Sequence, residues 1–98
     1  MVEKSRVLEL LYGLLDEVNE SRAADVRLPK SPTTALLGTD SVLDSLGLVH
    51  VVVGFEQKIA EELGSYVTLA DEKAMSQRNS PFRTVDTLVD YALELINT

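Results

Sequence analysis

The chain has 98 residues, a usual length for one domain spanning residues 1–98, and its lack of Cys excludes disulfides and thiolate metal sites. Its net charge is −7, and the only region with a net positive charge is the loop-like stretch 21–43. An acidic chain without a basic stripe argues against nucleic-acid binding. No segment approaches the length of a membrane span, and residues 1–6 lack the apolar run of a signal peptide, so we expect a monomeric cytoplasmic protein.

Residues 3–20 have the periodicity of an amphipathic helix. Their apolar side chains recur at alternating steps of three and one, which places them on one helical face. The acidic residues fall mostly off that face. We therefore predict a helix whose apolar face belongs to the core: Val7, Leu10, Leu11, Leu14, Leu15 and Val18.

Residues 21–43 break this period. Pro29 and Pro32 disfavour a helix, and the residues around them have turn character. A loop of this length in a small domain is either functional or conceals an element. Five scattered apolar residues predict that the loop is pinned to the core: Val26, Leu28, Leu36, Leu37 and Val42.

Residues 45–63 contain opposing signals. The valines at 49 and 51–53 favour a strand locally, and Gly54 is unfavourable in a helix by about 1 kcal/mol relative to Ala. The segment is too long for an ordinary strand, and Gly64 stands where a helix C′ glycine belongs. We predict a helix, because the larger apolar residues follow helical steps: Leu48, Val52, Phe55, Ile59 and Leu63.

The remaining residues predict one short and one longer helix. The short helix runs from Asp71 to about Gln77, and the longer one is capped by Thr84 and repeats the helical apolar spacing from Val85 to Ile96. The predicted fold is all-α. It is a small antiparallel four-helix bundle, with three long helices, one short helix and a long loop between the first two.

Ser45 is the most informative polar residue, because it opens the second predicted helix. It could simply begin or cap that helix, which is the usual role of such a serine. It could also be a hydrolase nucleophile, but the nucleophile elbow needs a glycine at position 43, which is Leu. The only imidazole, that of His50, lies about 140° around the helix and cannot act on the hydroxyl. Catalysis is therefore disfavoured.

A third possibility is covalent attachment of a phosphate-bearing group to Ser45. Unpaired amides and the positive end of the helix dipole favour a phosphodiester at this point. Asp44 offsets part of that attraction. Its carboxylate could instead hold a metal ion or contact a donor on a modifying enzyme.

The same stretch resembles the signature of the acyl carrier protein family. That signature is carried by Asp44-Ser45-Leu46, followed by Leu48-Val49 and then Phe55-Glu56. Three further segments are similar to the family's loop before the motif, its short third helix and its last helix: Leu37-Gly38-x-Asp40-Ser41, Asp71-Glu72-x-Ala74 and Phe82-Arg83-Thr84-Val85. The resemblance covers nearly the whole chain.

The resemblance implies that Ser45 carries a 4′-phosphopantetheine arm derived from coenzyme A, with Asp44 and Leu46 beside the attachment point. The arm's thiol would hold acyl cargo as a thioester, so the protein would be a non-catalytic carrier. The implied partners are a phosphopantetheinyl transferase, an acyl-loading ligase or transferase, and downstream synthase-type enzymes. Core residues that could also line a cargo cavity are Ile59, Leu63, Val67, Met75 and Leu88.

A second Asp-Ser pair, Asp40-Ser41, lies just before the motif. It is followed by Val instead of Leu and precedes the predicted helix. We therefore favour Ser45 over Ser41 as the attachment residue.

The chain departs from carriers of fatty-acid synthesis on the face that a partner would meet. Gly47 and His50 stand where acidic residues are typical, and Lys58 interrupts the later acidic cluster. His50 is either an ordinary solvated residue or a contact with a partner. The residues that we expect to face partners are Gly47, His50, Gly54, Glu56, Lys58 and Glu61.

These departures point to a specialised carrier in a lipid or secondary-metabolite pathway. Residues 43–47 also resemble the D-alanyl carrier of teichoic-acid modification, so an aminoacyl cargo is an alternative. The other alternative is an unmodified acidic helical adaptor. With one His and no Cys, we expect no metal site.

Overall fold

The computed structural model describes residues 2–38, 41–69 and 81–97, with the backbone alone at Ser45. Within these ranges the chain forms three α-helices, namely α1 (Lys4–Asn19), α2 (Ser45–Leu63) and α3 (Val85–Ile96). No β-strand occurs in the same ranges, which confirms the all-α prediction. The short helix predicted from Asp71 to about Gln77 lies outside the described residues, so the four-helix bundle stays a prediction.

Helix α1 packs against both of the other helices. Its predicted apolar face is largely buried, with Val7, Leu11 and Leu15 fully shielded from solvent. Arg6 near the start of α1 pairs with Glu62 near the end of α2 at 3.6 Å. The two helices therefore run antiparallel. On the other side, Lys4 pairs with Asp86 and Asp90 of α3.

Helix α2 forms despite its local preference for strand. Phe55 and Ile59 are fully buried, and burial of that helical stripe outweighs the weaker local preference of the valines. The helix ends at Gly64, whose φ of +68° lies in the left-handed region that favours glycine. The predicted C-terminal boundary is thus confirmed.

The loop between α1 and α2 is fixed to the start of α3. The carbonyls of Thr34 and Pro32 accept hydrogen bonds from the amides of Val85 and Asp86, at 3.0 and 2.9 Å. These are amides that a helix start leaves without an intrahelical acceptor. Thr84 supplies the predicted cap by accepting from the Thr87 amide at 3.2 Å.

Two of the five apolar loop residues reach the core. Leu28 and Leu36 are buried, whereas Val26, Leu37 and Val42 are 36%, 42% and 41% exposed. The prediction of a pinned loop is confirmed, but fewer side chains are buried than expected. Hydrogen bonds of the loop backbone attach the rest of the loop, because buried amides and carbonyls need hydrogen-bond partners.

The side-chain amide of Asn19 forms two hydrogen bonds with the loop. Its Nδ2 donates to the Leu28 carbonyl, and its Oδ1 accepts from the Leu28 amide, both at 2.8 Å. This pair holds the strand-like backbone around Leu28 against the end of α1. In the described ranges, no helix is long and apolar enough to cross a bilayer.

Candidate functional site

Asp44 determines where α2 begins. Its backbone is extended, and its Oδ1 accepts a hydrogen bond from the Gly47 amide at 2.7 Å. Its carbonyl accepts the first helical bond, from the Leu48 amide at 2.9 Å. The cap of the helix is therefore Asp44, and Ser45 occupies the first helical position.

Because Asp44 is the cap, Ser45 does not cap α2, although it begins the helix. The capping position is one residue earlier. An exposed carboxylate at that position also interacts favourably with the helix dipole. The cap at the helix start is thus Asp44, and the capping role does not fall to position 45.

The first turn of α2 is exposed on one side and anchored on the other. Leu46 is 65% exposed, although leucine is usually buried, whereas Leu48 is only 4% exposed. The amides of Gly47 and Leu48 are both satisfied by Asp44. Among the described residues, none accepts a hydrogen bond from the Leu46 amide. The turn thus presents an apolar side chain and an available donor beside residue 45.

Gly47 lies in a closely packed part of this turn. A Cβ at position 47 would lie 3.1 Å from Asp44 Oδ1 and 3.2 Å from Leu43 Cδ2. Both distances are shorter than ordinary van der Waals contacts. The glycine therefore leaves room for the capping carboxylate and for Leu43, whose partly buried side chain packs on the core.

The predicted partner-facing residues fall into two groups. His50 and Glu61 are exposed, and Gly47 is half-buried. The remaining three have contacts within the protein that sequence analysis did not anticipate. Their role towards partners stays a prediction.

The intramolecular contacts of those three residues fix α2 in place. A Cβ on Gly54 would lie 3.0 Å from Leu14 Cδ1, so the two helices approach closely there. Lys58 pairs with Glu17 of α1 at 2.7 Å, and its hydrogen bond to Glu17 raises the pKa of Lys58. The Glu56 carboxylate accepts a hydrogen bond from the Leu69 amide and so holds the segment that follows α2.

The residues considered for a cargo cavity lie mostly in the core. Ile59 and Leu88 are fully buried, Leu63 and Val67 are partly buried, and Met75 lies outside the described residues. A separate open groove of about 430 Å³ runs along the surface of α2. Its lining consists of Val53, Glu56, Gln57, Ala60, Tyr66, Val67 and Thr68.

One residue near the site was missed by sequence analysis. The guanidinium of Arg22 donates from Nε to the Val26 carbonyl at 2.6 Å and from Nη2 to the Val42 carbonyl at 3.0 Å. Val42 lies three residues before Ser45. The only available signal was that Arg22 belongs to the one positively charged stretch of the chain, 21–43.

Most cationic side chains of the described ranges form ion pairs within the protein. Four cationic side chains in the described ranges are paired with acidic ones: Lys4, Arg6, Lys30 and Lys58. In those ranges, no group of three or more His, Asp or Glu side chains is arranged to hold a metal ion. Comparisons of the chain with models of protein families, with curated proteins and with solved structures found no match.

Proposed function

We propose that the protein is a carrier whose Ser45 is the attachment point of a 4′-phosphopantetheine arm. The observation that carries the proposal is the capping of α2 by Asp44, with residue 45 in the first helical turn next to a 65% exposed leucine. Because Asp44 is the cap, the helix does not need a serine at position 45 as its cap, and the exposed Leu46 buries little apolar surface. Both features are useful on a surface that a modifying enzyme must recognise.

The residues around position 45 suit a phosphodiester. The N-terminus of a helix attracts negative charge through its dipole and its unpaired amides, and the Leu46 amide has no acceptor among the described residues. The exposed Asp44 carboxylate limits this attraction for the attached arm. It is also available to a metal ion or a basic group of the modifying enzyme.

A hydrolytic role for Ser45 is disfavoured by the continuity of α2. Positions 45 and 50 belong to the same helix and point about 140° apart, so the His50 imidazole is not a base for that hydroxyl. The arm would supply a terminal thiol on which acyl groups are held as thioesters. The chain's own residues would then present the arm and contact the partner enzymes, without catalysing a reaction.

The proposed partners have basic or neutral surfaces. Most cations of the described residues are engaged in ion pairs within the protein, so the surface that remains is acidic. The partners would be a phosphopantetheinyl transferase, a loading ligase or transferase, and synthase-type enzymes. Gly47 and His50 in place of acids favour a specialised lipid or secondary-metabolite pathway over general fatty-acid synthesis.

The test is to incubate the purified protein with a phosphopantetheinyl transferase and coenzyme A and to measure its intact mass. We expect the wild type to gain one phosphopantetheine, Ser45→Ala to gain none, and the matched control Ser41→Ala to gain one. Loading of Ser45→Ala, or no loading of the wild type by several transferases, would contradict the proposal. The second result would favour the unmodified acidic adaptor.

The class of cargo requires a different measurement. A carrier isolated from its native cells would hold its cargo through a thioester, which hydroxylamine cleaves. The mass of the released group distinguishes an acyl cargo from the aminoacyl cargo of the D-alanyl-type alternative.

A further inference from the structure

The segment just before α2 has few connections to the rest of the protein. The Ser41 amide donates to the Gly38 carbonyl at 3.1 Å, and the Leu43 amide donates to Ser41 Oγ at 3.0 Å. Asp44 bonds only forward, into the first turn of α2. All of these bonds join residues no more than four positions apart, so they shape the segment without attaching it to the body of the protein.

Arg22 makes the long-range connection. Its Nη2 donates to the Val42 carbonyl, twenty residues away, and its Nε donates to the Val26 carbonyl. Among the described residues, no other hydrogen bond joins residues 41–44 to a distant part of the chain. The partly buried side chain of Leu43 is the second attachment, through its packing on the core.

We propose that Arg22 is a positioning residue for the modification of Ser45. It holds residues 41–44 in the arrangement that the transferase recognises. This inference rests on the proposed function. The planar guanidinium suits the task, because its fixed fork of donors can bridge two carbonyls at once, whereas a lysine ammonium is a single point of charge.

Loss of the bridge should loosen the segment without unfolding the protein. Both carbonyls are at exposed positions, so water can replace the guanidinium, and the core contacts of Leu28 and Leu43 remain. The segment would then adopt the recognised conformation for only a fraction of the time. An apparent binding constant weakens by the inverse of that fraction, whereas the rate within the bound complex is unchanged.

The experiment compares the loading kinetics of the wild type, Arg22→Gln and Arg22→Lys. Lys30→Gln is the matched control, because it removes an equal charge from the same loop and its ammonium pairs with Asp16 of α1. We expect the KM for the carrier to rise about tenfold in both Arg22 variants, equivalent to about 1.4 kcal/mol, with kcat within about twofold of the wild type. Lys30→Gln should be loaded like the wild type.

Amide hydrogen exchange gives a readout that does not depend on loading. Exchange of the Ser41 and Leu43 amides, which are hydrogen-bonded within the segment, should become about tenfold faster in Arg22→Gln, while the buried amides of α1 and α3 keep their protection. If protection falls everywhere, Arg22 stabilises the whole fold and the positioning role is wrong. A wild-type KM in Arg22→Lys would also contradict the positioning role, because a positive charge without the bridging guanidinium would then suffice.

The two proposals fail in distinguishable ways. If the wild type is not loaded at all, the carrier function is contradicted, and the role of Arg22 falls with it. If the wild type and Arg22→Gln are loaded with equal KM, only the role of Arg22 is contradicted. If Lys30→Gln is impaired as strongly as Arg22→Gln, the effect is due to lost charge and the positioning role is again wrong.

Discussion

The two ends of α2 differ in how they are held. The C-terminal part contains the fully buried Phe55 and Ile59, is paired with α1 through Lys58 and Glu62, and ends at a left-handed glycine. The first turn, by contrast, has an exposed cap and a 65% exposed Leu46, and among the described residues one long-range hydrogen bond holds the segment before it.

One helix thus combines a part that is packed in the core with a first turn that is exposed to solvent. Burial begins at Leu48 and Val51, one turn after the cap. The 65% exposed Leu46 contributes little apolar burial, which is the main source of stability. Its identity is therefore free to be selected for recognition, and the proposed attachment serine directly precedes it.

The largest expected effect is in the buried part of α2. Phe55→Ala should lower the free energy of unfolding by about 3–5 kcal/mol, because it removes a fully buried aromatic ring from the core. Chemical denaturation measures the change. Val53→Ala is the matched control, since Val53 is 37% exposed on the same helix. An equal loss in the two variants would show that α2 is not buried as described.

A smaller effect is expected where α2 ends. Gly64→Ala should destabilise the protein by about 1–2 kcal/mol, because its φ of +68° is unfavourable for a residue with a Cβ. Gly13→Ala is the control. Gly13 lies within α1, with nothing within 4 Å of an added Cβ, so that change should stabilise by about 0.5–1 kcal/mol. Thermal unfolding of both variants should shift in opposite directions, and a shift in the same direction would be contrary to the structure.

Two substitutions of Asp44 separate its effect on the stability of the protein from its effect on recognition by the transferase. Asp44→Ala should cost about 1 kcal/mol, whereas Asp44→Asn should keep most of the cap, because asparagine caps helices about as well as aspartate. We expect both variants to be loaded more slowly than the wild type, because both lack the exposed carboxylate. Unfolding and loading are measured on the same samples. Wild-type loading of Asp44→Asn would mean that Asp44 acts only as a cap.

The smallest effect concerns the ion pair of Lys58 with Glu17. Lys58→Met should cost less than about 1 kcal/mol, because the Glu17 side chain is 60% exposed and water screens the pair, and the loss should shrink at high salt. The Glu17 hydrogen bond raises the pKa of Lys58 above 10.5. The pair's contribution is therefore fully present below pH 10.5 and disappears as the pH rises through the higher folded value. Across that range the free energy of unfolding should fall more in the wild type than in Lys58→Met, because Lys4, whose pKa is also raised, loses its proton in both proteins.

Sequence patterns predicted the helices because those signals are local. The apolar spacing of residues 7–18 reflects one buried face of α1, and the helix boundaries at Gly64 and Thr84 depend on the backbone and side chain of those very residues. Even the valines of α2 did not obscure its periodicity. The apolar stripe extends from Leu48 to the end of the helix at Leu63, whereas the local preference for strand covers only a few positions.

The contacts between distant segments were not predictable in the same way. The bridge from Arg22 to Val42 ends on a backbone carbonyl, which every residue has, so no residue type marks the acceptor. The approach of Gly54 to Leu14 depends on how two helices cross, and a helical projection of α2 alone does not contain that information. For this reason the predicted partner face included residues that contact α1.

The attachment site itself can be tested most directly by peptide mapping of the loaded protein. A protease that cleaves before Asp separates the two candidate serines, because Asp40 precedes Ser41 and Asp44 precedes Ser45. After treatment with a transferase and coenzyme A, we expect the phosphopantetheine on the peptide that begins at Asp44 and an unmodified peptide 40–43. A modified 40–43 peptide, or no modified peptide from a reaction that loads a known carrier, would contradict the account.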